Sequence, residues 1–175
     1  QPHYRKRQAL VELLLKRGAS PNVPVTPGAL LQRRAFKGET ALFTAVRVQD
    51  AVAVKMLRSA GAIASVQRGD GATVLHVAAR ESLCGDVEDE QELIVALTEE
   101  LDGAPDTASA LVDAVDFNGD TAFHLAIAHQ CYGIAAALVD AGANKTLKNK
   151  NGNDARALLN EDDLIRQPLL EQLFK

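Results

Sequence analysis

The chain has no tryptophan, one methionine and only seven other aromatic residues in 175, so aromatics make up 4% of it. A core of stacked large rings is therefore excluded, and so is the aromatic-interleaved basic surface on which single-stranded nucleic acids stack. The two cysteines, Cys84 and Cys131, are too few and too far apart for a disulfide framework or a zinc cluster. Reduced thiols in a cytoplasmic or nuclear compartment are the expectation. No apolar run approaches the ~18 residues of a membrane span, and no charged-then-apolar leader opens the chain. Membrane insertion is not expected. A Gly-rich phosphate loop and a G-x-S-x-G elbow are also missing, which removes two large enzyme classes.

Apolar residues nevertheless reach 47%, mostly alanine, leucine and valine, as suits closely packed helices. The net charge of −4 conceals an asymmetry. Residues 1–80 hold 13 Lys/Arg against 4 Asp/Glu, and residues 81–175 hold 6 against 19. If sequence order is spatial order, the N-terminal half is basic and the C-terminal half acidic.

One pattern recurs. Gly119-Asp120-Thr121-Ala122-Phe123-His124-Leu125-Ala126 has a near copy in Gly71-Ala72-Thr73-Val74-Leu75-His76-Val77-Ala78 and a weaker one in Gly38-Glu39-Thr40-Ala41-Leu42-Phe43-Thr44-Ala45. Thr40 to Thr73 is 33 residues, and Thr73 to Thr121 is 48, which is that period plus 15. Asp154 stands a further 33 on, after Gly152. A fixed period of this size marks tandem units. The glycine permits a turn at positive φ, and the threonine can cap the helix that begins there. A second apolar helix then ends at Ala60-Gly61-Ala62 or Ala141-Gly142-Ala143, where glycine serves as a C-terminal cap.

The pattern resembles the ankyrin repeat, whose motif reads G-x-T-P-L-H-x-A, then a second helix and G-A. The proline is replaced in every copy (Ala41, Val74, Ala122, Ala155), and Phe43 stands where histidine is usual. The resemblance implies an all-α solenoid of helix-turn-helix units with finger loops, about four to five repeats with two insertions, forming a single domain over 1–175. Its expected divisions are a partial repeat 1–22, an insertion loop 23–34, a repeat 35–66, a repeat with insertion 68–115, a repeat 116–147 and a capping repeat 149–175. The inserted loop carries Pro24, Pro27 and Gly28, which exclude helix. The second insertion divides between 82–87 and 102–110, around a helix over Glu88 to Leu101. Residues 110–115 lead into the next finger, and a closing helix is expected from Leu164 to Phe174. Counting back from Gly18 puts the first threonine before Gln1, so the chain is expected to be part of a larger polypeptide.

No residue set argues for catalysis. His76 and His124 fall at the family's histidine position, where the resemblance implies a hydrogen bond between turns. Neither has an orienting acid and a nucleophile in prospect. His129 and Cys131 alternate without a second ligand pair, and Asp116 to Asp120 lacks the glycine position and distal glutamate of a calcium loop, so no metal and no cofactor is expected. The acidic run Asp86 to Glu92 is read as a solvated face.

The resemblance implies a non-enzymatic module that binds a protein segment on its concave side. The residues carried over for that role are Phe36, Lys37, Asp70, Phe117, Asn118 and Asp120 on finger tips, and Arg47, Arg80, Glu81 and His129 at first-helix edges. Arg34, Lys37, Arg47, Arg68 and Arg80 together are expected to form a basic face suited to an acidic partner segment. Phe36 and Phe117 occupy equivalent tips and suit interface anchors. The alternative is a regulatory inhibitor or co-regulator masking a transcription factor, as inhibitors of Rel-type factors do. Nucleic acid is disfavoured for want of a groove-reading element.

Overall fold

The structure, a computed structural model, describes residues 2–25, 37–81, 87–99, 108–159 and 173–174. Eight α-helices lie among them: α1 (Pro2–Lys16), α2 (Ala41–Arg47), α3 (Ala51–Ser59), α4 (Val74–Glu81), α5 (Val87–Thr98), α6 (Ala108–Val112), α7 (Ala122–Ala128) and α8 (Tyr132–Asp140). A 3-10 turn follows at Ala155–Leu158. The helices pack in chain order as two rows. One row runs α2, α4, α7 and the 3-10 turn; the other runs α1, α3, α5, α8, and α2 with α3, α4 with α5, and α7 with α8 join the rows.

The residues two, five and six places after each threonine explain the stacking. Leu42, Leu75 and Phe123 are buried, as are Val46, Ala79 and Ile127, while Ala45, Ala78 and Ala126 sit between them and let neighbouring helices approach. Each large apolar side chain so buried contributes about 1.5–3 kcal/mol. The helices end as the glycines foretold. Gly61 has φ +85°, Gly61 N donates to Arg58 O and Ala62 N to Leu57 O, the paired bonds that satisfy the last carbonyls. Gly142 and Ala143 repeat this after α8, and Gly18 and Ala19 after α1.

Helix starts are more varied. Thr121 Oγ1 accepts from His124 N, and Asp50 Oδ1 accepts from Ala53 N. Thr40 Oγ1 has no partner among the described residues, because Phe43 fills the histidine position by packing alone. The first turn of α8 is served from another helix: Glu90 Oε2 of α5 accepts from Ile134 N at 3.2 Å. Glu90 is buried, which corrects the expectation that the whole acidic run is solvated.

Three more expectations change. Residues 108–112 form the short helix α6 rather than the approach to a finger, because Leu111 and Val112 turn inward and are buried. The helix of the third unit ends at Thr98, short of Leu101. Cys131 is disulfide-bonded, so the reduced-thiol expectation does not hold for it. Most of the 23–34 loop, residues 82–86 and 100–107, and most of the closing helix lie outside the described residues. Phe174 is described, and its ring meets Phe123 at 5.9 Å.

Adjacent fingers touch through their backbones. Phe117 N donates to Asp70 O at 3.2 Å, and Lys150 N to Asn118 O at 3.0 Å. Gly71, at φ +82°, lies under Phe117 so closely that an added Cβ would stand 2.5 Å from the ring and 2.8 Å from Phe117 N. Gly71→Ala is expected to cost roughly 2 kcal/mol, from left-handed backbone strain and displacement of the next finger. A thermal midpoint lowered by several degrees is the check.

Candidate functional site

Two of the fingers are tight turns organised by one side chain at the base. Asp116 Oδ1 accepts from Asn118 N and Asp120 N, and Asn149 Oδ1 does the same for Asn151 N and Asn153 N. At the equivalent place in the preceding finger the residue is Arg68, which cannot accept. There Asp70 Oδ1 takes Ala72 N instead, at 3.1 Å.

The guanidinium of Arg68 therefore turns inward. Its side chain is 1% exposed and lies among three carboxylates. Its Nη1 is 3.0 Å from Glu39 Oε1 and 2.9 Å from Glu81 Oε1; its Nε and Nη2 donate to the two oxygens of Asp70 at 2.8 and 2.9 Å. Arg47 reaches Glu39 at 2.7 Å and Glu81 at 3.0 Å, and Arg80 reaches Asp70 at 3.1 Å. Three cations and three anions thus close one network across α2, α4 and two fingers. Burial opposes the charge on Arg68 and on Arg47, but hydrogen bonds and attraction from the carboxylates outweigh it, and both pKa values are raised.

This arrangement revises the basic face. Arg47, Arg68 and Arg80 are neutralised by Glu39, Asp70 and Glu81, so these six groups present no net cation to a partner. The basic excess counted along the sequence is not a basic excess in space at this point. Lys37 is exposed, while Arg34 and Phe36 fall outside the described residues.

The histidines span the fingers in the other direction. His76 Nδ1 accepts from Thr73 N at 3.1 Å, and its Nε2 donates to Asp120 O at 2.9 Å, in the next finger. His124 repeats this with Thr121 N and Asn153 O. A backbone amide can only donate and a carbonyl only accept, so both rings are held as the neutral Nε2–H form. Burial lowers the His76 pKa, against the opposing pull of the Asp120 carbonyl and the charges of Asp116, Asp70 and Asp120. Apart from these backbone groups, each ring meets the hydroxyl of its own helix-capping threonine at 2.8 Å, so the rings are struts between fingers.

Phe117 and Asn118 are the exposed tip of their finger, with 63% of Phe117 open to solvent. Asp120 is half-buried, its carboxylate taking Asn149 Nδ2 at 2.7 Å, so it braces the next finger. His129 is exposed at the end of α7. Lys150, itself a finger-tip position by register, donates from Nζ to Phe117 O at 2.6 Å and fixes the tip from the far side. The period of 33 separating Phe117 from Lys150 gives that register.

Among the described residues no group of three or more His, Cys, Asp or Glu could hold a metal ion, and no helix is long and apolar enough to cross a membrane. A comparison with curated proteins finds no match. The segment from the tip at Asn118 through α7 and α8 to the next tip at Lys150 is one full structural period, and residues 118–150 match the family model of the ankyrin repeat, so this chain carries an ankyrin repeat.

Proposed function

We propose that the chain is a non-catalytic protein-interaction module, a solenoid of four to five ankyrin-like units that binds a partner segment across its finger tips and concave face. Ankyrin repeats support a protein-binding role in general. The observation that carries the finer reading is Phe117. Its ring is largely exposed, yet its backbone is held on both sides, by Asp70 O and by Lys150 Nζ, and its ring edge rests on Gly71. An aromatic fixed before binding loses little conformational freedom on contact and suits an anchor.

Around this anchor the exposed groups are Asn118, Asn151 and Lys150 on one side, Gly69 and Lys37 on the other, with His129 at the helix edge. Arg68 and Glu39 support the surface from beneath. Asp70, Arg80, Arg47 and Glu81 are half-buried and reach a partner only as an ion-paired, net-neutral patch. The acidic-segment preference therefore narrows to Lys37 and Lys150.

The test is an affinity pull-down with residues 1–175 as bait, read by mass spectrometry, beside Phe117→Ala. Phe117→Ala is expected to reduce capture of the bound protein at least tenfold, as loss of an anchor worth ~2 kcal/mol would. Its thermal midpoint should stay near that of the parent, since the ring is exposed. Undiminished capture by Phe117→Ala would move the site away from the finger tips.

A further inference from the structure

Two rows of exposed residues cross three successive fingers. Gln67, Val115 and Lys148 stand six places before Thr73, Thr121 and Asp154, and Gly69, Phe117 and Lys150 stand four places before them. All six are exposed. Residues in one register meet their counterparts in the next finger: Gln67 Nε2 donates to Val115 O at 3.1 Å, as Lys150 Nζ does to Phe117 O. Each row therefore changes in the same direction, from an uncharged residue through a large apolar one to a lysine. Val115 is 46% exposed and Phe117 63%, although a described finger lies on each side of them. Residues at these two places thus stay open inside a continuous stack.

The lysine end is cationic in space as well as in sequence. Residues 81–175 hold only six Lys/Arg, and three of them, Lys145, Lys148 and Lys150, stand within six positions. None of the three makes an ion pair among the described residues. The carboxylates of the same two fingers have other tasks. Asp113 Oδ1 accepts from Asn144 N and Asp154 Oδ1 from Ala157 N, both at 2.9 Å, while Asp116 holds its own turn and Asp120 takes Asn149 Nδ2. At the opposite end of the rows, the three cations and three anions around Arg68 cancel.

We propose that this graded surface binds an extended partner segment in which an apolar side chain is followed, on one side only, by carboxylates. The apolar side chain lies against Val115 and Phe117, and the carboxylates meet Lys148 and Lys150, which gives the segment one direction across the fingers. The ring supplies the anchor, while the charges fix orientation and speed encounter. The segment's chemistry rests on the finger-tip reading above, since both need Phe117 at the contact.

The probe is a phage-displayed library of random peptides of about 12 residues, or ~40 Å when extended, selected on the full chain. An enriched peptide is then measured by fluorescence anisotropy. Enriched sequences are expected to carry Asp or Glu on one side of a large apolar residue, well above the frequency in the starting library. Lys148 is exposed and its side chain makes no hydrogen bond among the described residues, so Lys148→Glu should leave the thermal midpoint near that of the parent. Affinity for the enriched peptide should fall roughly fivefold or more in Lys148→Glu and about tenfold or more in Phe117→Ala. Moving the peptide's carboxylates to the other side of its apolar residue should weaken it too, and added salt should weaken binding to the parent more than to Lys148→Glu. Peptides lost with Phe117→Ala but indifferent to Lys148→Glu overturn this proposal and leave the finger-tip reading standing. Peptides indifferent to both variants, or no enrichment at all, overturn both. Sedimentation of the chain with phosphatidylserine vesicles, abolished by Lys148→Glu, also overturns the proposal, because an anionic membrane surface would then be the occupant.

Discussion

Arg68→Met is expected to destabilise the fold by about 3–5 kcal/mol, the usual cost of removing one partner from a buried ion pair. The methionine fills most of the vacated volume, so the loss is electrostatic. Glu39, 6% exposed at its side chain, loses one of its two cations, and Asp70 and Glu81 lose the partner that holds them together. Two guanidinium groups then face three carboxylates, and the excess negative charge lies where water enters poorly. Arg68→Lys should cost less but still measurably, because an ammonium cannot serve Asp70 in the bidentate manner of the guanidinium. Chemical denaturation of each variant measures these losses. Pairing Arg68→Met with Glu39→Gln should recover part of the stability, and the double-mutant cycle should show coupling above 1 kcal/mol. Strict additivity would mean that the network is looser than its distances.

His76→Ala is expected to cost roughly 2–4 kcal/mol and to alter the dependence of stability on pH. The substitution leaves Thr73 N buried without its acceptor and opens a void between two fingers. The pH effect follows from the lowered pKa of the folded imidazole. As pH falls through the ordinary histidine value of 6.5, the unfolded chain takes up the proton before the folded one does. The stabilisation is therefore complete above that value and is lost as pH drops from it towards the folded pKa, with a slope of up to ~1.4 kcal/mol per pH unit. Denaturation curves at stepped pH should show this slope for the parent chain and a shallower one for His76→Ala. Parallel curves would show that burial does not keep the ring neutral in the folded chain.

The helices, their ends and the finger turns were legible because their causes are local. Gly61 and Ala62 end α3 through bonds to residues three and five places back along the same helix, and Thr121 starts α7 through a residue three places on. Such contacts can be read from spacing alone, and the strut role of His76 and His124 was legible for a similar reason, since each recurs three places after its threonine. The departures came where a side chain answers to something remote. Glu90 sits in an acidic run that looks solvated, but α8 begins beside it, 44 residues on. Residues 108–112 became a helix because Leu111 and Val112 found a core to enter.

By itself the sequence determined the class of fold, its period, the capping glycines and the positions of the finger tips, all of which depend on backbone preferences acting over a few residues. Tertiary structure alone decided the electrostatics and the available surface. Arg68 and Glu39 are 29 residues apart in the chain and 3.0 Å apart in space, and Arg47 meets Glu81 across 34 residues. Charges counted along a sequence add without regard to distance, whereas in the folded chain those a few ångströms apart in a poorly solvated place cancel. For the same reason the braced ring of Phe117 emerged only once the fingers were stacked, because exposure is a property of what a neighbour covers.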